Sequence, residues 1–358
     1  MKFRALIFIP LVFGLATVTP AGEAERKNSS TQQVERTVTA DPSVMVSLCV
    51  MSGSINVSGW DRNEVFARSD AQKIDFKGET SGDTPAPKRL ELSIIEPHGS
   101  RVRPSCQGYS DVELKVPQGA TVQIQTRDGS ISISGVTAAY AGTQNGDITV
   151  QQVVKWVEAA TIGGSIIARD LGGRITLTSI GGGIDATNVR PVNSGDAFDA
   201  ASVSGDINLV QVGHSRFNVK SVSGNVNLRS PLVRGGRYGF LTMSGDVTLS
   251  LPQDASFELN AKVSNKDVVV SDFPLQVLAE GESSGSSSVG SAAAPKSPER
   301  RGKPSTKVAP TKVKPGMVVR VDPRATVIIL CRVNAVHGAG EANISVASFS
   351  GKVLLKKK

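Results

Sequence analysis

The acids with the most regular setting in this 358-residue chain are Asp147, Asp206 and Asp246, each directly after a glycine, with Asn225 in the equivalent place. If the chain stacks one repeat per rung, Asp206 and Asp246 lie two rungs apart, about 9–10 Å. An acid and a base flank a glycosidic bond at about that distance in inverting hydrolysis. The competing reading is structural, because Asp and Asn in turns bond their local backbone. No arginine or aromatic subsite accompanies the pair, so the structural reading is preferred, and no catalytic, cofactor or metal residues are assigned. The three histidines, His98, His214 and His337, share no metal-ligand spacing and read as surface or loop residues. A phosphate loop, a Cys-x-x-Cys pair and the Gly-Gly-x-Gly-x-Asp calcium repeat are absent.

Two further sets of side chains could do chemistry. Trp60, Trp156, Tyr109 and Tyr140 are candidates for stacking on sugar rings, although scattered aromatics also cap cores. Cys49, Cys106 and Cys331 are either three packed thiols or, in an oxidising compartment, a Cys49–Cys106 disulfide plus a free thiol.

The elements that position these residues come from a repeat. Phe217, Val219, Ser221, Val222, Gly224, Val226 and Leu228 share their offsets with Tyr238, Phe240, Thr242, Met243, Gly245, Val247 and Leu249. Further copies begin at Val46, Val122, Ala139, Val157, Ile175, Phe198 and Ile344. A degenerate copy begins at Phe257 and carries Asn265 in place of the glycine, which makes ten. A unit of about 20 residues is too small to fold alone and signals a solenoid. Apolar residues alternate within each half, as in strands. The alternation slips by one at Ser221-Val222, which predicts a corner onto a new face. The fold class is therefore all-β: a single elongated parallel β-solenoid, with an antiparallel sandwich of hairpins as the alternative. Stacking like on like favours the solenoid, with a hydroxyl ladder through Thr161, Ser179, Ser202, Ser221 and Thr242. In this register Val226→Asp unfolds the local rungs and Asn218→Asp, on the opposite face, is tolerated.

The ends of the chain read differently. Residues 1–24 resemble an export signal: Lys2 and Arg4, an apolar run from Ala5 to Val18, then small residues around Ala21 and Ala24. No later run is apolar enough to cross a membrane as a helix. The repeats occupy 40–278. Residues 279–316 are Ser, Gly, Ala, Pro and Lys, a composition read as a disordered basic insert. Residues 317–358 return to β pattern as terminal rungs with a basic tail. Of the formal net charge of +8, much sits between Lys296 and Arg320, which hold eight Lys/Arg against Glu299. The body is left mildly acidic. The basic stretch either attracts anionic polymer, in a salt-sensitive way, or solubilises a loop.

The recurring Ser-Gly-Asp-Ile/Val-x-Leu, followed by Leu251-Pro252 and Asp272-Phe-Pro-Leu275, resembles the bacterial putative-adhesin β-strand-repeat family. So does the closing segment: Gly338-Ala-Gly340, the alternating strand through Ile344 and Val346, and Ser350-Gly351. The likeness covers about 40–278 and 335–356; the basic insert is a departure from it. It implies an exported domain associated with the cell envelope, periplasmic, at the surface or secreted. The expected function is a non-catalytic scaffold or adhesin-like binding protein, tethered to anionic envelope polymers or glycans through residues 296–320. The alternatives are a carbohydrate-active β-helix enzyme and an envelope-stress sensor working through a protein partner. No specific nucleic-acid binding is expected.

Overall fold

The computed structural model describes residues 33–79, 86–95, 106, 108–263, 269–278, 318–322, 325–328 and 332–358. The leader read at 1–24, the 279–316 segment, His98, Asn265 and Cys331 lie outside the described residues. All regular elements described are strands, arranged in one sheet of 14 and one of 15. They are called the front and back sheets here. No helix among the described residues is long and apolar enough to cross a membrane.

Each rung gives one strand to each sheet. Trp156–Thr161 in front is followed by Ile166–Gly172 behind, Arg174–Ser179 by Ile184–Arg190, Ala197–Ser202 by Ile207–Val212, and Arg216–Ser221 by Val226–Arg229. Neighbouring rungs pair in parallel, and the register is the one the repeat predicts. Phe198 pairs with Phe217 and Phe217 with Tyr238; Ile207 pairs with Val226 and Val226 with Val247. The alternative of stacked antiparallel hairpins is thereby excluded. The inward residues form one continuous core between the sheets. In it the Phe198 and Phe217 rings stack at 4.9 Å, and Phe217 meets Tyr238 at 5.6 Å.

The corner between sheets rests on close approach of backbone. A Cβ on Gly224 would lie 2.0 Å from the carbonyl oxygen of Gly205, and one on Gly245 would lie 2.4 Å from that of Gly224. Gly245 also has φ of 148°, whereas Gly224 lies outside the left-handed region, so there proximity alone demands glycine. The buried hydroxyls serve this corner. Ser221 Oγ accepts the Gly224 N–H at 2.9 Å and Ser202 Oγ accepts that of Gly205 at 3.0 Å. Ser202 Oγ also donates to the Gly182 carbonyl one rung away at 3.1 Å. The column predicted as a hydroxyl ladder is thus a set of staples between glycine turns; the hydroxyls bond backbone rather than one another. At Thr242 and Thr126, where the strands run on to Ser244 and Asp128, the hydroxyl has no such partner.

A second bend lies six residues after the corner glycine. Gln152, Asp170, Asn188 and Gln211 all take positive φ of 53–56°. The next residue, Val153, Leu171, Val189 or Val212, turns back into the core.

Both ends depart from chain order. The front sheet places Ala342–Ser350 between Arg237–Ser244 and Phe257–Lys262, and the back sheet places Val353–Lys357 between Val247–Leu251 and Val269–Ser271. The last copy is therefore the penultimate rung, not a terminal one. At the other end, Arg89–Ile95 and Val112–Pro117 form an outer rung beyond Met45–Ser52 and Ile55–Trp60. That rung, unread in the sequence, brings the number of parallel rungs among the described residues from ten to eleven. Antiparallel strands cover both ends: Lys73–Glu79 and Glu64–Ser69 at one, Arg332–His337 and Ala325–Ile328 at the other. Such caps remove the long parallel edges through which sheets aggregate.

Val226 is fully buried, so Val226→Asp should cost at least about 3 kcal/mol, read as a large fall in melting temperature. Asn218 is exposed as expected, but its Nδ2 donates to Asp199 Oδ1 at 3.3 Å. Asn218→Asp would set two carboxylates face to face and is not the neutral control; Asn218→Ser is, and should melt within a degree or two of wild type. Gly224→Ala should cost about 2–4 kcal/mol. Gly195→Ala, where a Cβ meets open space, should cost little, and equal losses in denaturant titration would refute the steric account.

Candidate functional site

The turn acids are placed as the repeat predicts, and each is engaged. Asp206 Oδ1 accepts the Asn225 N–H at 2.7 Å and its side-chain amide at 3.2 Å. Asn225 Oδ1 accepts the Asp246 N–H at 3.0 Å, and Asp246 Oδ1 accepts the Lys352 N–H at 2.7 Å. Asp147 does the same for Ser165 at 2.7 Å. The column is a rung-to-rung clamp on the backbone, made by the residue type that the turn itself favours.

His214 differs from the expectation of a surface or loop residue. It sits in a connection but is fully buried beside Phe198, with ring centroids 5.9 Å apart. Its Nε2 lies 2.7 Å from the Gly173 carbonyl, while Nδ1 has no partner. A carbonyl can only accept, so Nε2 carries a proton, and burial without a partner at Nδ1 favours the neutral ring. Burial pushes its pKa below the ordinary 6.5, against the opposing pull of the Gly173 bond and the Asp196 carboxylate. His337 packs against Phe257 and Phe273 at the end cap. Among the described residues, no group of three or more His, Cys, Asp or Glu is arranged to hold a metal ion.

The sugar-stacking candidates are dispersed. Trp60 belongs to the back sheet, donates from Nε1 to the Glu64 carbonyl at 2.8 Å and packs on Phe66. Trp156 and Tyr140 are on the front sheet, and Tyr109 is exposed in a connection. Cys49 and Cys106 form a disulfide, with Cα atoms 4.7 Å apart.

What the surface does assemble was only half visible in the sequence. The column of Val222, predicted to turn to a new face, points outward. Ile162, Ile180, Val203, Val222, Met243 and Phe349 occupy it in six successive rungs and are each between 39% and 76% exposed. Their backbone is laddered: the Ile162 carbonyl accepts the Gly181 N–H at 2.7 Å, that of Ile180 the Ser204 N–H at 3.0 Å, and that of Val203 the Ser223 N–H at 2.8 Å. The side chains are therefore held in an apolar strip about 24 Å long. Soluble surfaces carry scattered apolar residues, and six in one contiguous column make this face the candidate interaction surface. Beside one end lies a cleft of about 540 Å³, whose lining includes Gly142, Ala160 and Thr178, paired across three rungs, with Tyr140, Ile162 and Cys106 of the disulfide. A second cleft, of about 360 Å³, lies on the back sheet among Asn227, Arg229, Thr248, Ser250 and Lys356 to Lys358.

Only the spacing signal was available for these features. It located the strip column but not its direction, and the clefts depend on which small side chains become neighbours across rungs.

Because the neutral His214 resists protonation in the folded chain, the unfolded chain binds protons more readily below about pH 6.5. Stability should fall as pH drops through that range. His214→Gln, which keeps a donor for Gly173, should show a smaller loss of melting temperature between pH 7.5 and 5.5. Equal losses in the two proteins would contradict the neutral, buried assignment.

The family model described as Toastrack DUF4097 matches residues 89–297, more than half of the chain. No curated protein sequence matches. Among solved structures, the crystal structure of a "putative cell adhesion protein" from Clostridium sporogenes ATCC 15579 is 11% identical. That match covers 91% of this chain and 100% of the other with a TM-score of 0.21.

Proposed function

The chain belongs to the Toastrack DUF4097 family, the β-strand-repeat family that its motifs resemble, and within that fold we propose a non-catalytic, exported, adhesin-like binding scaffold of the cell envelope. The observation that carries this reading is the apolar strip from Ile162 to Phe349. It is rigid, contiguous and bordered by a cleft that can receive a partner's apolar side chain. Side chains so exposed contribute nothing to the core, and covering them would release apolar surface from water. The partner proposed for this face is a protein.

Two further points support a scaffold over a β-helix hydrolase. Asp206 and Asp246 are each committed to backbone of the next rung, so an acid–base pair there would have to break clamps of the fold. The disulfide suits an oxidising compartment, in keeping with the leader read at 1–24. The 296–320 stretch is assigned the role of a salt-sensitive tether to anionic polymer.

Co-sedimentation of the purified mature protein with isolated envelope fractions across a salt series tests the reading. Wild type is compared with Ile180→Lys/Val222→Lys and with a chain lacking Gly281 to Lys314. Binding that persists in high salt and is lost in the strip variant is expected. Binding that depends only on the basic segment would reduce the stack to a spacer. Undiminished binding by both variants would overturn the assignment of the strip.

A further inference from the structure

The back sheet carries a second feature that the repeat does not require. Along its outer face, parallel pairing aligns Arg229 with Ser250 and Ser250 with Lys356, three successive rungs in one column. The two cations therefore stand about 9–10 Å apart with a hydroxyl between them. The adjacent column is Asn208, Asn227 and Thr248. Its amides are oriented: Asn208 Nδ2 donates to Asp185 Oδ1 at 2.9 Å, and Asn227 Nδ2 donates to Asn208 Oδ1 at 3.0 Å. The chain of amides thus presents Asn227 Oδ1, an acceptor, toward the Thr248 end.

These columns line the 360 Å³ cleft, together with Lys357 and Lys358 at its rim. Four cationic side chains border it and no Asp or Glu is among the lining residues, although Asp272 Oδ2 accepts the Lys357 N–H at 3.2 Å. Lys357 is partly occupied, its ammonium lying 5.3 Å from the Phe273 ring centre. Arg229 and Lys356 are exposed and belong to none of the ion pairs found among the described residues. Like charges so placed repel one another, and an anion would relieve that repulsion.

We propose that this face is a binding site for an acidic glycan, a linear polymer bearing carboxylate groups. Arg229 and Lys356 bind acid groups on successive parts of the polymer, and Arg229 can hold a carboxylate in bidentate fashion. Asn227, Thr248 and Ser250 exchange hydrogen bonds with its hydroxyls, which need both donors and acceptors. Polyphosphate would satisfy the cations but leave the amide acceptor without a donor. The site deepens the scaffold reading and rests on export bringing the chain to envelope polymer. Its residues are distinct from those of the apolar strip and of the 296–320 stretch.

The test is direct binding of the purified full chain to soluble polygalacturonate, with dextran and polyphosphate as comparison polymers. Arg229→Gln/Lys356→Gln is set against Arg216→Gln/Arg237→Gln, an equal loss of charge from exposed neighbours on the front sheet. Both changes lie on exposed positions, and matching melting temperatures establish that both proteins fold. Polygalacturonate binding that weakens at least about tenfold in the first variant alone supports the site. Equal weakening in both, or in neither, overturns it, because attraction is then general or lies elsewhere. Polyphosphate bound as tightly as polygalacturonate, or dextran bound at all, overturns the acidic-glycan assignment. None of these readouts involves the strip, so a failure here leaves envelope capture by the strip intact, and the reverse also holds.

Discussion

Glycine packed on glycine at the corner between sheets is the constraint from which the rest of the structure follows. The carbonyl of one corner sits where the next corner's Cβ would be, as between Gly205 and Gly224. This proximity fixes how far each rung can shift over its neighbour. Once the corners stack, the strands on both sides have no freedom of register, and Phe198, Phe217 and Tyr238 must fall on one another. The serine and threonine staples and the turn carboxylates then serve the same corner from inside and outside. One satisfies N–H groups that the core would leave unbonded, and the other holds the exposed backbone.

Much of this was legible because a solenoid writes its contacts into its period. Residues at equal offsets touch, so Val226 and Leu228 announce Ile207 and Leu209 as neighbours before any coordinates are known. Three things were not legible, each for a physical reason. The outer rung through Leu90 and Leu114 lacks the corner glycine, because a connection interrupts it, and so it carries no motif. The left-handed bend at Gln152, Asp170, Asn188 and Gln211 leaves little signature, since several polar residues tolerate that conformation at modest cost. Direction was also hidden. An apolar residue after the slip reads equally well as core or as surface, and burial of His214 is invisible in a sequence where nothing pairs with it.

The division of labour between inside and outside explains why the fold says little about activity. Inward columns are bound to the stacking, whereas each outward column can change without disturbing it. Along the front corner that freedom is used for an unbroken apolar strip, and along the back sheet for cations beside an oriented row of amides. Both are linear arrays with the spacing of the strands, suited to partners that are themselves extended.

The placement of the last strand pair has a consequence for how the molecule is made. Residues 342–357 fill a slot between two rungs that precede them in the chain. A nascent chain can stack the middle rungs in order, but the rung of Phe257–Lys262 has no lasting neighbour until Ala342–Ser350 arrives and separates it from Arg237–Ser244. Completion of the stack is thus contingent on synthesis through residue 357. A prematurely terminated product would expose raw β-edge at that position, the kind of surface by which quality-control proteases and chaperones distinguish unfinished chains from finished ones.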